Sequence, residues 1–123
     1  MATHNKLGKK GEESARLYLV AKGLSIIELN WRHGKSEIDI IAESEKFLVI
    51  IEVKTRSTDY FGFPEESISN SQKNRLIEAA EAYQEEYSIE KPLRFDVVSI
   101  IKNEDTERIL HFEDAFYPFG EID

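Results

Sequence analysis

A chain of 123 residues, 41% of them hydrophobic, has enough apolar surface for one core, and two domains would each be too small, so residues 1–123 are expected to form a single domain. The absence of cysteine excludes disulfides and thiolate metal sites, and the longest apolar run, Phe47–Ile51, is too short to span a bilayer, so the expectation is a cytoplasmic protein with no membrane partner. A net charge of −8 argues against broad coating of nucleic acid, yet residues 1–76 carry 12 Lys or Arg against 11 Asp or Glu, while residues 77–123 carry 4 against 13.

In chain order, Leu7–Lys22 reads as a helix, with Ala15, Leu19 and Lys22 at helical spacing, Tyr18 beside them and Gly23 placed to end it. Leu24–Trp31 reads as a first strand and His33-Gly34-Lys35 as a turn. Glu37–Ala42 and Phe47–Thr55, rich in Ile and Val, read as a hairpin joined by a short polar link. Residues 56–68 are irregular and aromatic, broken by Gly62 and Pro64. Ser69-Asn-Ser-Gln72 matches a capping box and opens a second helix, to Tyr87, whose apolar face is Leu76, Ala80, Tyr83 and Tyr87, with Ile77 at its side. Leu93–Ile101 and Arg108–Phe112 are the last two strands. The order α-β-β-β-α-β-β defines a mixed α/β domain whose nearly unbroken apolar strands call for a helix on each face of the sheet.

Within those apolar strands stand Asp39, Glu52 and Lys54. Ionised groups are costly to bury unless paired or bound to a metal, so their position calls for a chemical explanation. Side chains alternate along a strand, and a link of either Ser44–Phe47 or Glu43–Lys46 puts all three on one face, with Asp39 opposite Glu52 or diagonal to it. Two carboxylates suit Mg²⁺ or Mn²⁺, which take oxygen ligands and leave places for water and phosphate, and the Val53 carbonyl is available as a further ligand. Lys54 is placed to polarise a water or offset charge developing on phosphorus. The chemistry indicated is metal-dependent hydrolysis of phosphodiesters.

Asp39, twelve residues, then Glu52-Val-Lys54 resembles the acid and acid-x-Lys pattern of the PD-(D/E)xK nuclease superfamily, which includes restriction enzymes and Holliday-junction resolvases. Nearly the whole chain resembles the bacterial YraN-like family of predicted endonucleases, through Gly8-x-x-Gly11-Glu12, Asn30-Trp-Arg32, Glu37-Ile-Asp39, Glu52-Val-Lys54-x-Arg56, Phe61-Gly62, Lys73 and Arg94-Phe-Asp96-Val. Ile38 replaces the proline of the superfamily's name, and Ser36 stands where relatives usually have glycine. The resemblance implies a restriction-endonuclease-like fold. It also implies Glu12, an acid of the first helix, as a third carboxylate ligand, and Glu12 lies on the helix face that carries Ala15 and Leu19. Lys73, at the start of the second helix, is placed to bind phosphate with the exposed amides there.

The expected function is thus a Mg²⁺- or Mn²⁺-dependent nuclease acting on structured DNA, such as a junction, flap or end, with RNA in place of DNA as an alternative. Lys10, Arg32 and Arg56 are candidate phosphate contacts, as are Lys9 and Lys35, and each is otherwise a solvated surface charge. The bland alternatives are an ion-pair network for Asp39, Glu52 and Lys54, a first-turn helix acid for Glu12 and a strand-edge acid for Glu37. His4, His33 and His111 have no metal-ligand spacing. Trp31, Tyr60, Phe61 and Phe63 either pack or stack on bases. A silent nucleic-acid-binding or adaptor module is the competing function, its protein partner or second copy held through the acidic second half.

Overall fold

The computed structural model describes residues 2–57 and 68–116, with side chains from residue 9 onward. The elements are α1 (Ala2–Ala21), β1 (Ser25–His33), β2 (Ser36–Glu43), β3 (Leu48–Arg56), α2 (Asn70–Tyr87), β4 (Leu93–Lys102) and β5 (Glu107–Phe116), in the order expected. One five-stranded sheet runs β1-β2-β3-β4-β5, antiparallel except for the parallel pair β3 and β4, which α2 connects. Among the described residues no helix is long and apolar enough to cross a membrane.

The two helices cover the two faces of the sheet. On one face Leu76, Ala79, Ala80 and Tyr83 of α2 pack on Ile38, Ile41, Ile50, Phe95 and Val97. Ala15 and Leu19 of α1 pack on Ile40, Ala42, Val49, Ile51, Val98 and Ile100. Ile38 and Ile41 thus belong to the α2 side and Ile40 to the α1 side, so the two-residue alternation slips at Asp39.

Helix α1 starts before Leu7 because Ala2–Lys6 lacks the apolar spacing by which a helix is read but contains nothing that breaks one. It ends as its glycine demands. Gly23, at φ 99°, donates to the Val20 carbonyl, and the Leu24 amide reaches back to Leu19 at 3.1 Å, the paired bonds of a Schellman cap. Two residues read at helical spacing, Lys22 and the apolar-face residue Tyr87, lie outside the core. Lys22 is exposed and lies over the Tyr18 ring, and Tyr87 leans on Tyr83 with 48% of its surface open, Ala79 taking the buried place instead.

Strand β5 runs beyond the expected Phe112 to Phe116. Its pairing with β4 shifts register opposite Asp96, and Asp114 adopts φ 58°, an interruption that hides the continuation from a reading by alternation. The fully buried Asp96 accepts two bonds from the Arg94 guanidinium (2.9 and 2.8 Å), one from the His111 imidazole (2.7 Å) and one from the Asp114 amide (3.0 Å). Burial alone would raise this carboxyl; the four bonds outweigh it and hold the group below its ordinary value. The Arg94-Phe-Asp96-Val stretch therefore ties β4 to β5.

Helix α1 lies so close to β3 that a Cβ on Gly11 would overlap Thr55 Oγ1. Gly11→Ala is therefore expected to destabilise the protein by about 1–3 kcal/mol, the usual cost of overpacking. Urea unfolding of Gly11→Ala against Gly11→Ala/Thr55→Ala checks it, since removing the hydroxyl and methyl should restore part of the loss.

Candidate active site

The hairpin link is Ser44–Phe47, the first of the two considered, because Glu43 pairs with Leu48 and Ile40 with Ile51. In that register Asp39 falls opposite Glu52. Backbone pairing between β2 and β3 stops one residue short of them, while β2 stays paired to β1 and β3 to β4. At this fork the Asp39 carboxylate replaces the missing rung by accepting the Val53 N–H at 2.8 Å. Val53 thus enters the site through its amide.

A cleft of about 250 Å³ opens beside the fork, lined by Lys35, Ser36 and Glu37 at the β1–β2 turn, by Asp39 and Glu52, and by Gln72, Arg75 and Leu76 of α2. Two carboxyl groups close together and half-buried cannot both ionise cheaply. Asp39 is pushed up to about 8, by burial first and then by the charge of Glu52, with the Val53 hydrogen bond opposing. Glu52 is raised by burial, against the opposing effects of Lys54 and of a hydrogen bond with Asp39. Lys54 Nζ stands 3.5 Å from Glu52 Oε2 and is 27% exposed. A proton or a cation between the carboxylates relieves them.

Glu12 approaches from α1, carried in by the close contact at Gly11. Burial raises it, and a hydrogen bond from the Asn30 side chain partly offsets that; Asn30 itself sits at φ 53°, a conformation asparagine tolerates better than most residues. Its charge is felt at Asp39 and at Glu52. Among the described residues, however, no three Asp, Glu, His or Cys side chains converge as a metal-ligand group. The donors of the cleft amount to a carboxylate pair with room for water and phosphate, which fits an ion such as Mg²⁺ that needs only one or two protein carboxylates.

The other expected positions divide. Arg32 is 69% exposed at 3.8 Å from Glu37, at the rim of the cleft. Lys10 is exposed on α1, and Arg56 is half-buried at the end of β3. Lys73 turns away from the cleft and stands 5.6 Å over the Phe116 ring. His111 is part of the Asp96 network. Phe61-Gly62 and the aromatic positions Tyr60 and Phe63 lie outside the described residues.

Two residues of the cleft escape a sequence reading. Ser69 accepts the Gln72 amide at 3.1 Å, as a capping box requires, but the Gln72 side chain does not return to the cap; its Nε2 donates to Glu52 Oε2 at 3.1 Å. Arg75, one turn on, follows Gln72 to the same face and also donates to Ser71 Oγ at 2.9 Å. Helical spacing from Gln72 is the signal that would have found Arg75.

The fold and the cleft define a mixed α/β domain with a half-buried carboxylate pair at a fork in its sheet. Residues 11–100 match the model described as "Uncharacterised protein family UPF0102", and the chain belongs to that family. It is 47% identical to a "UPF0102 protein" of Christiangramia forsetii, covering 97% of this chain and 100% of the relative. Similar proteins of Bacteroides thetaiotaomicron and Phocaeicola vulgatus are 46% and 44% identical, each match covering 96% of this chain and 98% of the relative.

Proposed function

We propose that this protein is a Mg²⁺- or Mn²⁺-dependent nuclease of the PD-(D/E)xK type, hydrolysing phosphodiester bonds in structured DNA. The observation that carries the reading is the confrontation of Asp39 with Glu52 at the sheet fork, where burial and mutual repulsion favour capture of a cation. A divalent ion held there would act as a Lewis acid on a phosphoryl oxygen and make its bound water more acidic.

The chain's own residues divide the remaining work. The Val53 amide donates to Asp39 and the Gln72 side chain to Glu52, and these bonds hold the two carboxyl groups in place at the cleft. The Val53 carbonyl and Glu12 would be further candidate ligands. Lys54 supplies the positive charge beside Glu52 that offsets charge developing on the phosphorane. Lys35 and Arg75 at the cleft, with Arg32 at its rim, hold the phosphate backbone, and Lys10 and Arg56, which lie outside the cleft lining, extend the contact along the strand.

The test is a panel of labelled duplexes, flaps, junctions and RNA strands incubated with Mg²⁺, Mn²⁺ or chelator. Metal-dependent cleavage of one of them that disappears in Glu52→Gln supports the reading. Absence of cleavage across the panel, with nucleic acid bound, replaces it with the silent module.

A further inference from the structure

We propose that His33 is a base-stacking platform at the mouth of the cleft and that the nucleic acid taken there carries an unpaired strand. The proposal rests on the nuclease reading of the cleft for its location. Its own evidence is a row of rings. His33 lies parallel to the Trp31 indole, with centroids 6.2 Å apart and planes 6° from each other. Trp31 in turn meets Tyr83 edge-on at 5.0 Å and belongs to the α2-side core. The imidazole therefore lies parallel to and offset from a half-buried ring that packs against the core, while His33 itself is exposed.

The row is aimed at the cleft. Along β1 it runs from Trp31 toward the turn, and His33 is the cross-strand partner of Ser36, which lines the cleft together with Lys35. Partners of that kind lie about 5 Å apart, so a phosphate in the cleft would bring its neighbouring base to the open side of His33. Lys35 in the cleft lining supplies positive charge next to this turn, the companion that stacking platforms for single strands use to follow the backbone. A base paired inside a duplex presents no free π-face; one at a flap, an overhang or an opened junction does. The chemistry selects the unpaired strand.

Trp31 holds the core, so the decisive substitution is at the exposed His33. Fluorescence anisotropy of the full chain would be measured in Ca²⁺, which takes the oxygen ligands of Mg²⁺ in a looser geometry. The probes are a blunt duplex and the same duplex with a thymidine overhang. Wild type should bind the overhang probe more tightly. His33→Ala should lose that preference, weakening overhang binding roughly tenfold, within the range for loss of one stacked base, with blunt-duplex affinity and melting temperature unchanged. His33→Phe should keep it.

An equal preference in His33→Ala, a parallel loss on both probes, a wild type that prefers neither or binding of neither probe would overturn the platform; an imidazole that only shields Trp31 from water gives the first result. Cleavage of the same probes in Mg²⁺ is scored separately. Cleavage indifferent to His33 removes the platform alone, whereas a His33-dependent preference without cleavage in Mg²⁺ or Mn²⁺ removes the nuclease and keeps the platform.

Discussion

Asp39→Asn will make the metal-free protein more stable at pH 8 and will weaken its binding of Mn²⁺ by roughly 10²-fold or more, since even outer partners of a metal ligand are worth 10- to 100-fold. The Asp39 carboxyl titrates near 8 in the folded protein, above its ordinary 3.8. The folded state therefore holds this proton more tightly than the unfolded chain. Its contribution to stability is complete below about pH 4 and is lost as pH climbs through 8. Glu52, also raised, acts in the same direction. Asparagine cannot ionise, its oxygen can accept the Val53 N–H, and its amide can donate to Glu52. The variant should gain on the order of 1 kcal/mol or more at pH 8 and little at pH 4, the scale of relieving an uncompensated buried polar group. Urea unfolding at both pH values, with and without Mn²⁺, checks it: Mn²⁺ should restore the wild type at pH 8 and leave the variant unmoved. A variant less stable at both pH values and still stabilised by Mn²⁺ would mean that Asp39 serves the fold alone.

Lys54→Ala will reduce single-turnover cleavage by roughly 10²-fold or more while Mn²⁺ affinity stays within a few-fold, the pattern for loss of a group that acts only in the transition state. The 3.5 Å approach of Lys54 to Glu52 also admits a purely structural role. Removing the ammonium leaves Glu52 to face Asp39 without it, so the metal-free variant should lose stability at pH 8 and recover it when Mn²⁺ binds. Melting temperature, Mn²⁺ affinity and cleavage on one preparation separate the two roles. Stability lost and not regained with Mn²⁺, with cleavage preserved, would make Lys54 one member of a salt-bridge network. Lys54→Arg should keep the stability but recover only part of the rate, since the guanidinium spreads its charge over a larger, planar group.

What a reading of the chain recovers is what local chemistry dictates. The hairpin register follows from strand alternation and a four-residue link in one of two positions, and both positions bring Asp39 opposite Glu52 or diagonal to it. The α1 cap follows from one glycine, and the sandwiching of the sheet from strands that are apolar on both faces. Contacts between distant segments stay hidden, because neither partner is unusual where it stands. Gln72 has the position of a capping residue, and only the packing of α2 beside β3 turns its side chain to Glu52. His111 shows no ligand spacing because its partner, Asp96, lies on another strand. Lys73 looks like a phosphate ligand by its position in the first turn of α2, yet the rotation of that turn gives the cleft to Gln72 and Arg75.

The rung that Asp39 forms with the Val53 amide also gives this site a reporter in the backbone. An amide proton donated at 2.8 Å to an ionised carboxylate resonates downfield, and it moves when the carboxylate takes a proton or shares its charge with a cation. In a nitrogen–proton correlation spectrum, Mg²⁺ should shift the Val53 resonance far more than that of Val49, four residues back in the α1-side core. The same peak should titrate near pH 8 without metal and stay put in Asp39→Asn. Occupancy of the cleft can then be followed without substrate or turnover, and the order in which metal and nucleic acid arrive becomes a measurable property of one peptide bond.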